Sequence, residues 1–186
     1  MSDARLSFED VAAQVSYEPV AGRFFWLPRP REMFEFQRDF RIWNAKFAGA
    51  ETLKSRTMLG YCQGMINGTR VRAHRVAWLL HYRQWPEFGI DHINGIKSDN
   101  RIINLRDVPQ AENNKNTSLP KTNSTGVIGV AWHKNHECWQ AYITVNGHRK
   151  NLGRHADFDA AVSARREAER LYGFHENHGR PMQGVA

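Results

Sequence analysis

Cysteine is scarce in this chain: Cys62 and Cys138 are the two in 186 residues, far apart and outside any CxxC pair. That excludes a disulfide framework and a cysteine-built zinc site, and it fits ordinary thiols in a reducing compartment. Long apolar runs are missing as well. No window approaches the ~18 consecutive apolar residues that span a bilayer, so no membrane partner is expected. The opening MSDARLSFEDVAAQ carries early acids and no apolar signal core, which leads to the expectation of a cytoplasmic protein. Low-complexity tracts and sustained repeats are absent. Acids are in the minority, with 19 Asp and Glu against 26 Lys and Arg, for a net charge of +7. A basic surface gathers phosphate backbones by counterion release, whatever the base sequence.

What is present has the composition of a folded protein, 41% apolar and 11% aromatic, with room for one domain or a few small ones. Residues 1–69 are read as a β-rich accessory region. Within it VSYEPVAGRFFWL predicts two short strands around a Gly22 turn, and FQRDFRIWNAKFAG sets cations beside aromatics, a small core under a basic surface. Residues 70–118 form a second region. Asn67-Gly68 between two strand-like runs signals a type I′ hairpin. Ala73 to Trp85 predicts a helix stopped by Pro86, and His74 at its corner is read as a core histidine rather than a ligand.

Residues 119–178 form a third region, with 179–186 as a tail. GVIGVAW, CWQAYITV and RKNLGRH predict three strands, the last two joined by Asn146-Gly147. Along the middle strand Trp139, Ala141, Ile143 and Val145 alternate with Gln140, Tyr142 and Thr144. Asp157 or Asp159 caps a helix bearing Ala161, Ala164, Ala168 and Leu171, and Gly173 stops it. One helix on a three-stranded sheet leaves the other face open. Between Lys121 and His155 the chain offers Lys121, Lys134, Arg149, Lys150 and Arg154 against a single acid, Glu137. A sheet of this width fits the major groove.

The stretch GIDHINGIKSDNRIINLRDVPQAENNKN (89–116) is dense in asparagine and sets Asp91 beside His92. Phe88 to Ile93 is strand-like, Asn94-Gly95 starts a turn, and Ile102 to Val108 is apolar enough for a second strand. Pro109 then opens a short helix through Asn116. His92 to Asn104 is twelve positions (104 − 92), and Asp91 to Asn113 is twenty-two (113 − 91). A ββα hairpin closing on a helix could therefore bring Asp91 and Asn113 to one point. Carboxylate and amide oxygens suit a hard divalent ion that shares phosphate oxygens. An imidazole with a pKa near 6.5 suits deprotonation of a water. Asn104 could tie the two ends of the loop together and so fix His92.

Together RVRAHRVAW, IDHINGIKSDNRIINLRDV and AENNKN resemble the HNH homing-type endonucleases of bacteriophages, in the H-N-N variant whose last histidine is an asparagine. The resemblance implies an α+β chain with a ββα-metal (HNH, His-Me finger) nuclease module and magnesium- or manganese-dependent cleavage. It implies His92 as general base, Asn104 as loop clamp, and Asp91 and Asn113 as metal ligands, with Asn114 and Asn116 as near alternatives to Asn113. No structural zinc is implied, because the paired CxxC motifs of the zinc-holding branch are absent. GVIGVAW, CWQAYI, NLG and the alanine-rich helix ending LYG resemble the AP2 DNA-binding domain, a three-stranded antiparallel sheet plus one helix. Ala131 and Thr144 stand where arginines usually contact DNA, which leaves His133, Lys134, Tyr142, Arg149 and Arg154 as contacts. The expectation is an endonuclease on double-stranded DNA that nicks one strand per active site, as a monomer or weak dimer without a small-molecule cofactor. The competing class is a non-catalytic AP2-type DNA-binding regulator, and an RNA-directed nuclease is compatible with the same charge and fold.

Overall fold

The computed structural model describes residues 6–181, so residues 182–186 of the expected tail lie outside the described residues. The chain is α+β, built of small antiparallel sheets and short helices. It divides between Val108 and Pro109 into two compact units.

In the first unit, helix α1 (Phe8–Ala12) starts at a capping box. Ser7 Oγ accepts from Asp10 N–H, and Asp10 returns the bond to Ser7 N–H. Strands β1 (Val15–Glu18), β2 (Arg23–Trp26) and β3 (Glu51–Thr52) make one sheet, interrupted in sequence by helix α2 (Gln37–Phe47). The region expected to be β-rich thus contains an eleven-residue helix. Strands β4 (Ser55–Arg56), β5 (Cys62–Ile66) and β6 (Thr69–Arg72) make the second sheet. Asn67 and Gly68 take the positive φ their hairpin requires, 47° and 71°. Helix α3 (Ala73–Tyr82) follows directly, and it ends earlier than Pro86 would dictate. Arg83 adopts a left-handed conformation (φ 60°) and closes the helix onto Leu79 O. Strands β7 (Gly89–His92) and β8 (Leu105–Val108) pair as a two-stranded sheet, and Ile102–Asn104, expected as strand, is a 3-10 turn leading into β8.

One apolar core runs through the whole first unit. Leu6, Val11, Val15, Phe24 and Leu53 pack in the same cluster as Val71, Val76, Leu79, Ile90 and Leu105. The boundary expected near residue 69 falls inside the β5–β6 hairpin, where no break in packing occurs. The β1–β2 turn also backs onto the loop before β8. A Cβ at Gly22 would sit 2.5 Å from Arg101 N, Tyr17 Oη donates to Asn100 O at 2.7 Å, and Ile102 N–H donates to Pro19 O at 3.0 Å.

In the second unit, helix α4 (Gln110–Asn113) runs into a 3-10 turn at Asn114–Asn116. Strands β9 (Val130–His133), β10 (Cys138–Val145) and β11 (His148–His155) form a sheet in the order β11-β10-β9. Asp157 caps helix α5 (Phe158–Leu171) through Ala160 N–H at 2.8 Å. Val130, Ala141 and Ala161 form the core beneath that helix, flanked by Trp139 and Phe158. The segment after α4 is stitched to the C-terminal end. Leu119 N–H donates to Arg180 O, Gly179 N–H to Thr117 O, and Arg180 Nη1 to Asn116 Oδ1 at 2.6 Å. Residues 109–118 therefore cohere with the sheet-and-helix unit. A buried Arg165 joins α5 to β10, donating to Tyr142 O at 2.8 Å and to Glu169 Oε1 at 2.9 Å.

Candidate active site

Strand β7 brings two titratable side chains to adjacent positions and opposite sides. Asp91 lies across the ladder from Arg106, and His92 from Leu105. Cross-strand partners share a face, so the Arg106 guanidinium reaches the Asp91 carboxylate. Its Nε and Nη2 both meet Oδ2, at 2.8 and 2.7 Å. Asp91 is 7% exposed and His92 4%.

His92 faces the other way, into an aromatic cluster. The His74 ring packs edge-on at 5.1 Å between centroids, and Tyr61 lies 5.8 Å from His92 and 5.3 Å from His74. Lys97 sits 5.0 Å above the Tyr61 ring. Burial pushes the His92 imidazole down to about pKa 4, opposed by the neighbouring Asn100 amide and the Asp91 and Asp99 carboxylates. His74 is driven lower, to about 3, by burial and then by His92 and the cations of Arg75 and Arg72. Both rings are therefore neutral near pH 7. A neutral imidazole has a lone pair for a proton, whereas an imidazolium does not.

The loop between β7 and β8 is held by amides. Asn104 Oδ1 accepts from Asn94 N–H at 2.9 Å, while its Nδ2 donates to Asp99 O at 2.9 Å. Ile93 N–H donates to Asn104 O at 2.9 Å. Asn94 adds a side-chain bond to Asp99 Oδ2 at 2.7 Å, and Gly95 turns the chain at φ 75°. Asp99 is fixed in turn by Arg101, whose side chain holds its carboxyl below the usual range. The repeated asparagines thus supply hydrogen bonds that the irregular backbone of the loop cannot make with itself.

Asn114 and Asn116, the near alternatives to Asn113, both have structural partners. Asn116 is buried and accepts from Arg180, and Asn114 Oδ1 accepts from Gln110 Nε2 at 2.9 Å. Asn113 ends α4, in the second unit, while Asp91 belongs to the first. Among the described residues no group of three or more His, Cys, Asp or Glu stands ready to hold a metal. Hard divalent ions take oxygen ligands, and the Asp91 carboxylate is a donor of that type.

In the second unit, the ladder sorts the expected DNA contacts. Cys138 pairs with His133, Gln140 with Arg154 and Thr144 with Arg149. Alternation along β10 then puts His133, Arg154, Arg149 and Tyr142 on the face away from Ala141 and α5. Arg149 lies over the Tyr142 ring at 3.5 Å, and Lys134 begins the turn beyond β9. Three features of the site escaped the sequence. Tyr61 lies in no recognisable motif, and the packing of His74 on His92 joins residues eighteen positions apart (92 − 74). The Arg106–Asp91 pair follows from the ladder register, which the length of the loop does not fix by itself.

Comparison with known proteins gives two findings. The HNH endonuclease family model matches residues 71–115. Protein 3.8 of Escherichia phage T7 is 33% identical over 82 residues, which cover 44% of this chain and 68% of that protein. No solved structure matches. No helix among the described residues is long and apolar enough to cross a membrane.

Proposed function

We propose that this chain, which belongs to the same family as phage T7 protein 3.8 and carries an HNH endonuclease domain, hydrolyses phosphodiester bonds in double-stranded DNA and nicks one strand per active site. The observation that carries the reading is His92: a buried, neutral imidazole at the end of a strand, beside a carboxylate and at the start of a clamped loop. His92 takes the proton from the attacking water. Asn104 holds the loop that positions it. Asp91 offers a carboxylate oxygen to magnesium or manganese, in keeping with the divalent-metal dependence general among HNH nucleases. When bound, such an ion stabilises charge on the phosphate and on the leaving oxygen. Arg106 keeps the Asp91 carboxylate oriented.

The second unit is proposed to grip the duplex through the β10–β11 face, with His133, Lys134, Tyr142, Arg149 and Arg154 as contacts. An AP2-like role is supported by the sheet-and-helix layout and by the excess of cations over acids there. The test is nicking of supercoiled plasmid with and without magnesium. Open circles should precede linear product, because each chain has one site. His92→Ala should slow cleavage roughly 10²–10⁴-fold with DNA retention nearly unchanged, and Asp91→Ala should abolish metal-supported cleavage. A plasmid that is bound but left intact in magnesium and in manganese would favour the non-catalytic regulator instead.

A further inference from the structure

The turn between β4 and β5 carries large apolar side chains where turns usually carry polar ones. Its sequence is Thr57-Met58-Leu59-Gly60-Tyr61. Met58 is 98% exposed and Leu59 66%. Solvated turns favour Gly, Asn, Asp, Ser and Pro, each for a backbone or hydrogen-bonding reason that Met and Leu lack. Nor is this a loose loop. Thr57 N–H donates to Tyr61 O at 2.9 Å, Gly60 N–H to Thr57 O at 2.8 Å, and Tyr61 N–H to Thr57 Oγ1 at 3.1 Å. Gly60 supplies the positive φ, 87°, that closes the turn. The two apolar side chains are thus held out on a braced hairpin.

The position of the turn matters as much as its composition. Tyr61, two residues after Leu59, packs against both His92 and His74. Lys54, just before β4, and Arg56, within it, are exposed ahead of the turn, and Lys97 lies over the Tyr61 ring. An apolar tip flanked by cations beside a phosphodiester-cleaving histidine matches the chemistry of a duplex, with phosphates outside and stacked bases within. Proteins that bend DNA insert Met, Leu, Ile or Phe between base steps from the minor groove, trading stacking for a kink that opens the backbone. We infer that Met58 and Leu59 form a wedge that enters a base step of duplex DNA next to the scissile phosphate and presents that phosphate to His92. The inference rests on the nuclease reading above. It gives the first unit a DNA contact of its own, separate from the β10–β11 face.

The experiment uses the full chain and its Met58→Ser/Leu59→Ser variant, with magnesium. Nicks made by the parent are mapped on plasmid, and the site is rebuilt as a short duplex with 2-aminopurine beside the cut. A second duplex carries a mismatch at that step, so that it is already unstacked. The wedge predicts that the variant cuts the intact duplex about tenfold more slowly or worse, the scale of an unstacking step left unassisted. It predicts near-parental cutting of the mismatched duplex. 2-Aminopurine emission, read without added metal, should rise on binding the parent and stay low with the variant. Equal rates on the intact duplex, as expected if the tip contacts a protein or a membrane, would overturn the wedge. So would an equal loss on both duplexes, which would mark the turn as a support for Tyr61. A parent that nicks nothing defeats the nuclease reading, and that outcome is visible before any variant is made.

Discussion

At the scale of single residues, the site is a set of imidazoles and amides kept from water. His74 and His92 hold pKa values near 3 and 4 in the folded state, against about 6.5 in an unfolded chain. Below pH 6.5 the unfolded chain binds protons that the folded one refuses, so stability falls as pH drops from about 6.5 toward 4 for His92 and toward 3 for His74, and is fully present above that window. Each histidine contributes up to about 1.4 kcal/mol per pH unit. Urea denaturation at a series of pH values should show this slope, and His74→Phe should flatten it by about one proton. Because His74 touches His92, the same substitution will also perturb the site, so the stability slope rather than activity is the readout. Asn104→Ala leaves Asn94 N–H and Asp99 O without their partner. It should destabilise by about 1–3 kcal/mol, the usual cost of unsatisfied buried groups, and slow cleavage as well. His92→Ala should slow cleavage without an equal loss of stability.

At the scale of elements, the sheet and helix of the second unit need the strand of chain that precedes them. Asn116, Thr117 and Leu119 bond with Gly179 and Arg180, and Lys115 O accepts from His175 N–H. A fragment beginning at Pro109 should therefore melt at a higher temperature than one beginning at Lys121, as scanning calorimetry can show. The longer fragment should bind duplex DNA with a log–log salt slope of about −0.9 per phosphate neutralised. Arg149→Ala should weaken that binding without unfolding it, since the guanidinium lies on the Tyr142 ring at the surface rather than in the core.

At the scale of the whole molecule, residues 6–70 share one core with the β7–β8 hairpin. Leu6, Val11, Val15, Phe24, Leu53 and Ile66 are buried in the same core as Val76, Leu79 and Ile90. Burying side chains of this size is worth about 1.5–3 kcal/mol each, and a domain's net stability is only about 5–15 kcal/mol. Deleting residues 1–69 should thus leave the HNH segment unfolded and inactive by proteolysis and plasmid nicking, even though the matched family region stays in the chain.

Local chemistry is what the sequence by itself determined. The Asn67-Gly68 and Asn146-Gly147 hairpins, the Asp157 cap and the alternation along β10 all depend on residues within a few positions of one another. That Asn104 ties the loop which follows Asp91 and His92 is local for the same reason, because one short loop joins them. Where α3 stops does not follow from Pro86, since Arg83 takes the left-handed cap that usually falls to glycine, three residues earlier. Tertiary structure alone decided the rest. The placing of Tyr61 and His74 around His92, the bracing of the loop before β8 by Tyr17 and Gly22, and the single core that joins residue 6 to residue 105 are contacts between distant segments. Such contacts are set by shape and by exclusion of water, which act between surfaces and leave no fixed spacing along the chain.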